Sequence, residues 1–101
     1  MKLYTVDKAL LTETPEIRIG DKVYKVDNRL STVKKVGEAV KSVPEDEMDV
    51  TIQLCLGKVA HKEIMEMDLP APAMQEIVII ISAAVSGITV EEAKKRFLGA
   101  K

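Results

Sequence analysis

The stretch Met74-Gln75-Glu76-Ile77-Val78-Ile79-Ile80-Ile81-Ser82-Ala83-Ala84-Val85-Ser86-Gly87 is the most apolar run in the chain, and any fold has to hide it. Turned at roughly 100° per residue, it gathers Met74, Ile77, Val78, Ile81, Ala84, Val85 and Ile88 into one sector and sets Gln75, Glu76, Ser82 and Ser86 opposite. The β-branched residues Ile77 to Ile81 would also suit a buried strand. Pro70 and Pro72 in front and Ser86-Gly87 behind bound about 15 residues, which is the length of a helix, so an amphipathic helix is predicted. Ile79 points into the polar sector and Ile80 lies on its border. They belong either to a centre covered on most sides or to a surface that a second chain covers. A membrane span is excluded on length, because Ile77 to Val85 is nine residues and a span needs about 20.

A chain of 101 residues supports one domain, residues 1–101, and buries about two thirds of the surface its unfolded form exposes. Its only aromatic residues are Tyr4, Tyr24 and Phe97, so the core must be aliphatic. Fifteen basic against sixteen acidic residues leave a net charge of −1, and such a field does not attract a phosphate backbone. Nucleic acid is therefore not an expected partner. Cys55, the single cysteine, cannot close an internal disulfide. No basic segment followed by a short apolar one opens the chain, so a reducing cytoplasm is the expected setting and no membrane is involved.

Residues 1–14 begin in strand-like fashion at Leu3-Tyr4-Thr5-Val6 and continue through an ambiguous Lys8-Ala9-Leu10-Leu11, so they are either a loosely docked strand or a loosely ordered flank. Glu16-Ile17-Arg18-Ile19, Gly20-Asp21 and Lys22-Val23-Tyr24-Lys25-Val26 make a β-hairpin with a two-residue turn, since glycine at the first loop position suits type II′ geometry. With Ile19 opposite Lys22, Ile17 faces Tyr24, and Ile17, Ile19, Tyr24 and Val26 share one side. Asp27-Asn28 offers cap chemistry for a helix from Arg29 or Leu30 to Val43, stopped by Pro44. Gly37, inside its valine stripe, implies that another backbone passes close.

Glu45-Asp46-Glu47 forms an acidic first turn for a helix to about Leu56, with Met48, Ile52, Cys55 and Leu56 on one side and Val50 and Leu54 on the other. Gly57 ends it. A short helix from Lys58 to Met67 then turns Val59, Ala60, Ile64 and Met67 inward and Met65 outward. Asp68-Leu69-Pro70-Ala71-Pro72 is a stiff connector into the long helix. After Gly87, Thr89 and Glu92 form a capping box for a last helix to about Leu98, anchored by Ala93 and Phe97. The predicted class is α+β, mainly helical, with an N-terminal β-hairpin packed on about five α-helices.

No reactive constellation accompanies this framework. Cys55 and His61 lie about 240° apart by helical geometry, with Gly57 between them, so they do not form a nucleophile–base pair. His61, Glu63, Glu66 and Asp68 lack a second histidine and any zinc-like spacing, and the five scattered glycines make no phosphate loop. No catalytic residue, cofactor or metal site is expected. What the chain has is apolar side chains to spare, namely Ile79, Ile80, Val50, Leu54 and Met65, and these are the candidate protein-interface residues.

The order of features resembles a known family. The hairpin Ile17 to Asp27 leads into a valine-rich helix. Leu54-Cys55-Leu56-Gly57-Lys58 follows, then the acidic Glu63-Ile64-Met65-Glu66-Met67-Asp68-Leu69, the helix Met74 to Val85, and the tail Gly87-Ile88-Thr89-Val90-Glu91-Glu92-Ala93-Lys94-Lys95-Arg96-Phe97. Over residues 16–98 this is similar to the small tail assembly chaperones of long-tailed bacteriophages and prophages. The resemblance is one of pattern, with no catalytic motif to anchor it. It implies a non-enzymatic, mainly helical, self-associating protein that coats the hydrophobic tape-measure protein, helps recruit tail-tube protein in the host cytoplasm, and is absent from the finished virion. Many such proteins are also made as a longer frameshifted product. Two other functions fit the chain less well: a tail-completion or connector subunit of the virion, and a DNA-binding regulator using the last two helices as a helix-turn-helix.

Overall fold

In the computed structural model, which describes the backbone of residues 2–99 and the side-chain surroundings of all of these except Ala9, Phe97, Leu98 and Gly99, the chain turns back on itself at Gly20-Asp21. Gly20 has φ +62°, as the first loop position of a type II′ turn requires. The turn joins β1 (Glu16–Ile19) to β2 (Lys22–Lys25) in an antiparallel pair with Ile19 opposite Lys22 and Ile17 opposite Tyr24. Ile17 and Val26 are buried and Ile19 and Tyr24 half-buried, while Arg18, Val23 and Lys25 face outward. The alternation in the sequence thus becomes one covered face and one exposed face. A last ladder bond from the Val26 N–H to the Pro15 carbonyl (2.9 Å) is followed by one from the Asp27 N–H to the Cys55 carbonyl (2.7 Å). The exit of the hairpin is thereby fastened to the helices.

The helices are α1 (Lys8–Thr12), α2 (Leu30–Ser42), α3 (Glu47–Leu56), α4 (Lys58–Glu66), α5 (Ala71–Ser86) and α6 (Val90–Gly99), with a 3-10 turn over Pro44–Asp46 between α2 and α3. The class is α+β and mainly helical. No strand forms over Leu3–Val6. The long helix starts at Ala71, inside the expected connector: Pro70 precedes it as its cap and Pro72 occupies the first turn, where a missing N–H costs nothing. Its other end is closed by Gly87 at φ +69°, and the Ala83 carbonyl accepts from the N–H groups of both Gly87 and Ile88. The Thr89 hydroxyl accepts from the Glu92 N–H at 3.1 Å, which opens α6 as the capping box predicts.

The core has two parts that meet in α5. Ile17, Val26, Ile52, Cys55, Ile64, Ile77, Val78 and Ile81 form the larger cluster, drawn from the hairpin, α3, α4 and α5. On another side of α5, Ile79 and Ala83 pack with Ala93, flanked by half-buried Ile88 and Val90. Ile79 is therefore only 8% exposed: of the two places the sequence leaves open it takes the centre covered on most sides, which corrects its inclusion among the candidate interface residues. The bend of 110° between α5 and α6 brings α6 back over the sector that a one-faced wheel leaves polar. Phe97, the second expected anchor of α6, lies outside the residues whose side chains are described. Among the described residues no single helix is long and apolar enough to cross a membrane; α5 and α6 pass only as a pair, across their bend.

Three further expectations are overturned by local geometry. Gly37 has no heavy atom of another element within 4 Å of where a Cβ would stand, so among the described residues no second backbone passes close to it. Val59, expected to face inward, is 76% exposed, because Ala60 and Ile64 define the buried side of α4. Met67, also expected to face inward, is exposed at the turn after α4.

Two substitutions test this packing in urea unfolding at low protein concentration. Ile81→Ala, at a position with no exposed surface, lowers stability by about 2–5 kcal/mol. Gly37→Ala raises it by about 0.5–1 kcal/mol, because the helix gains propensity and meets no obstruction.

Candidate protein-interaction surfaces

The densest polar arrangement lies where the hairpin meets α2. Asp27 Oδ1 accepts from the Arg29 backbone N–H (3.1 Å) and Nε (3.0 Å), and Oδ2 accepts from Arg29 Nη2 (2.8 Å) and the Thr32 hydroxyl (2.8 Å). The sequence suggested a cap for α2. Arg29 instead occupies the cap position with no side-chain cap bond, and Asp27 grips Arg29 and Thr32 from below. The bonds from the Arg29 side chain, outweighing burial, hold the Asp27 carboxyl well below the usual carboxylate range. A hollow of about 410 Å³ beside this clasp is lined by Lys25, Asp27, Asn28, Arg29, Leu54 and Gly57 among others. The Asp27 carboxylate already accepts four bonds and the Arg29 fork is engaged on it, so the arrangement serves as a structural lock on the hairpin–α2 junction.

Other polar contacts also tie elements together. Lys22 Nζ meets Glu63 Oε2 at 3.3 Å and the Tyr24 hydroxyl donates to Glu63 Oε1 at 3.1 Å, joining the hairpin to α4. Burial and this bond to an anionic acceptor raise the Tyr24 pKa. His61 Nε2 lies 3.4 Å from Asp49 Oδ1, joining α4 to α3, and Lys94 Nζ lies 3.2 Å from Glu76 Oε1, joining α6 to α5. Cys55 is buried in the main core, where desolvation, reinforced by the Asp27 charge, pushes its thiol up to about 11. The neutral thiol is a poor nucleophile. His61 faces Asp49 rather than Cys55. Among the described residues no group of three or more His, Cys, Asp or Glu side chains could hold a metal ion.

The candidate interface residues disperse. Ile79 lies under α6, and Ile80 is half-buried against the main core. Val50 and Leu54 are half-buried on α3, Leu54 on the wall of the Asp27 hollow, and Met65 is exposed on α4. The apolar groups that the fold leaves in solvent are largely different ones. Met48, Val59, Met65 and Met67 lie exposed on α3, α4 and the turn after α4, Leu30 and Val33 on α2, and Leu3, Tyr4, Val6, Leu10 and Leu11 on the N-terminal segment. Helical-wheel geometry passed over the N-terminal group because no periodic pattern holds across residues 2–12. The signal available was five large apolar residues within nine positions, more than a solvated flank needs. No protein-family model, curated protein or solved structure matches this chain.

The clasp sets a dependence on pH. A carboxylate with a depressed folded-state pKa contributes stability that is present above its unfolded value of about 3.9 and is lost as the pH falls below it. Unfolding of the wild-type chain therefore becomes easier as the pH drops below about 4. Asp27→Asn is less stable by about 1–3 kcal/mol at pH 7, and a smaller part of its remaining stability is lost in that acid window. Thiol labelling gives a second check: at pH 8 Cys55 of the folded protein reacts with iodoacetamide at least tenfold more slowly than in denaturant.

Proposed function

We propose that this chain is a non-enzymatic tail assembly chaperone of the long-tailed phage type, which holds an apolar helical stretch of a tape-measure protein and presents it to tail-tube subunits in the host cytoplasm. The supporting observation is the exposure of Met48, Val59, Met65 and Met67 on α3, α4 and the turn after α4, while the polar side chains around Asp27, Glu63 and Asp49 are engaged in fastening the fold. Unbranched methionines adapt to irregular apolar partners, and an amphipathic client helix lays its apolar face against such a surface. The half-buried Val50 and Leu54 and the exposed Met65 of the candidate set belong to the same two helices. Self-association accompanies this role.

One observation favours a second function. A bend of 110° through three residues with Gly87 at its start is the geometry of a helix-turn-helix. The charges oppose it, because the first turn of α6 carries Glu91 and Glu92, where a recognition helix would meet bases and phosphates, and Lys94 is turned back onto Glu76.

Co-expression with segments of a long helical tape-measure protein tests the proposal. The chain keeps an apolar segment in the soluble fraction and copurifies with it, replacement of Met48, Met65 and Met67 by Gln lowers recovery at least fivefold, and purified particles lack the chain. No copurification with any segment overturns the chaperone function. A salt-sensitive shift of duplex DNA on a gel would favour the helix-turn-helix, and presence in particles would favour a virion subunit.

A further inference from the structure

We infer that residues 2–12 form an exchange arm, which seats its apolar side chains in the groove between α2, α3 and α5 of a second copy of this chain while that copy returns its own. This rests on the self-association in the proposed function and is independent of the client. Leu3 is 90% exposed, Tyr4 85% and Leu10 80%, with Val6 and Leu11 also in solvent. No more than weak contact joins α1 to any other element, where Leu10 lies over a shallow hollow beside Asn28 and Ala84. The radius of gyration, 14.8 Å, exceeds the roughly 13 Å of a compact domain of this length, and the longest dimension of 56 Å is well over the 33 and 25 Å of the other two.

The receiving surface is an apolar groove of about 130 Å³ lined by Val33, Val36, Val40, Ile81 and Val85 among others, with Glu47 at its edge. That volume is close to the ~150 Å³ that accommodates a benzene ring, so it takes one large arm side chain. Beside Val33, on the same flank of α2, lie exposed Leu30 and Gly37. Gly37 has open space over it, which lets a second backbone approach where this chain supplies none.

Charge and size point to a second copy. Residues 2–12 carry Lys2 and Lys8 against Asp7, a net charge of +1 by count, and the one charged residue among the described residues lining the groove is the acidic Glu47. Eleven arm residues together with the nine lining the groove bring twenty residues per protomer, the low end of the roughly 20–30 that a standard interface uses. One arm alone falls short of that. Reciprocal exchange doubles the contact and closes it in a two-fold dimer, with no open surface left to propagate.

Sedimentation velocity on the full chain, with unfolding curves on the same samples, tests this. The wild-type chain dimerises. Replacing Leu3, Tyr4 and Val6 together by Ser, and separately Gly37→Gln, each weaken dimerisation at least tenfold while the midpoint of monomer unfolding is unchanged or, for Gly37→Gln, higher. Mixing the two variants gives a heterodimer tighter than either variant's homodimer but weaker than the wild-type dimer, because one of the two arm–groove contacts remains intact across the pair. A monomeric wild-type chain at about 0.5 mM overturns self-association altogether. A dimer that survives the arm substitutions overturns the arm exchange only. Loss of monomer stability on substituting the arm, without loss of mass, would show that the arm seats in its own chain and also overturns the exchange.

Discussion

Helix α5 is apolar on more than one face, and a chain of this length has to surround it. The solution is to spend different parts of the chain on different sides of one rod. The hairpin, α3 and α4 bring Ile17, Ile52 and Ile64 against Ile77 and Ile81, and α6 bends back to place Ala93 against Ile79 and Ala83. Small residues on the second side let the α6 backbone come close, as two large side chains in the same place would not. With only three aromatic residues in the sequence, the core is filled with branched aliphatics, whose few rotamers suit close packing.

The polar contacts follow from that arrangement. Each joins elements that the core already brings together: Asp27 with Arg29 and Thr32 at the hairpin–α2 junction, Tyr24 and Lys22 with Glu63 between hairpin and α4, His61 with Asp49 between α4 and α3. Most are half-exposed pairs whose individual worth is small. Asp27 is the exception, since both its carboxylate oxygens are engaged, by four bonds in all, and its backbone N–H also holds the Cys55 carbonyl. One residue thus fixes the angle at which the sheet meets the helices.

Much of this was legible in the sequence because the determinants are local. The Gly20-Asp21 turn dictates the hairpin register, since positive φ at one position leaves a single way to pair Ile19 with Lys22. Thr89 and Glu92 announce α6, Gly87 ends α5, and Pro44 stops α2, each by its own backbone chemistry. What escaped depends on tertiary geometry. The burial of Ile79 comes from the angle between α5 and α6, which helical periodicity does not contain. The role of Asp27 comes from competition, as the guanidinium two residues on is a stronger partner than free N–H groups at a helix end. Of the candidate interface set, Met65 lies in solvent and Val50 and Leu54 are partly covered, whereas the exposed N-terminal leucines and Tyr4 obey no period and gave no wheel to read.

The smaller cluster has a consequence for motion. Its members fall between positions 79 and 93, and the Lys94–Glu76 pair also joins α6 to α5, so the contacts described for α6 return to the helix just before it, to which it is joined through Gly87, Ile88 and Thr89. Swinging α6 outward needs rotation at those three residues and leaves Ile77 and Ile81 sealed beneath the hairpin, α3 and α4. The molecule thus contains two units of unequal strength sharing one rod: a body that melts as a whole, and a terminal flap whose opening strips one side of α5 while the body stays intact.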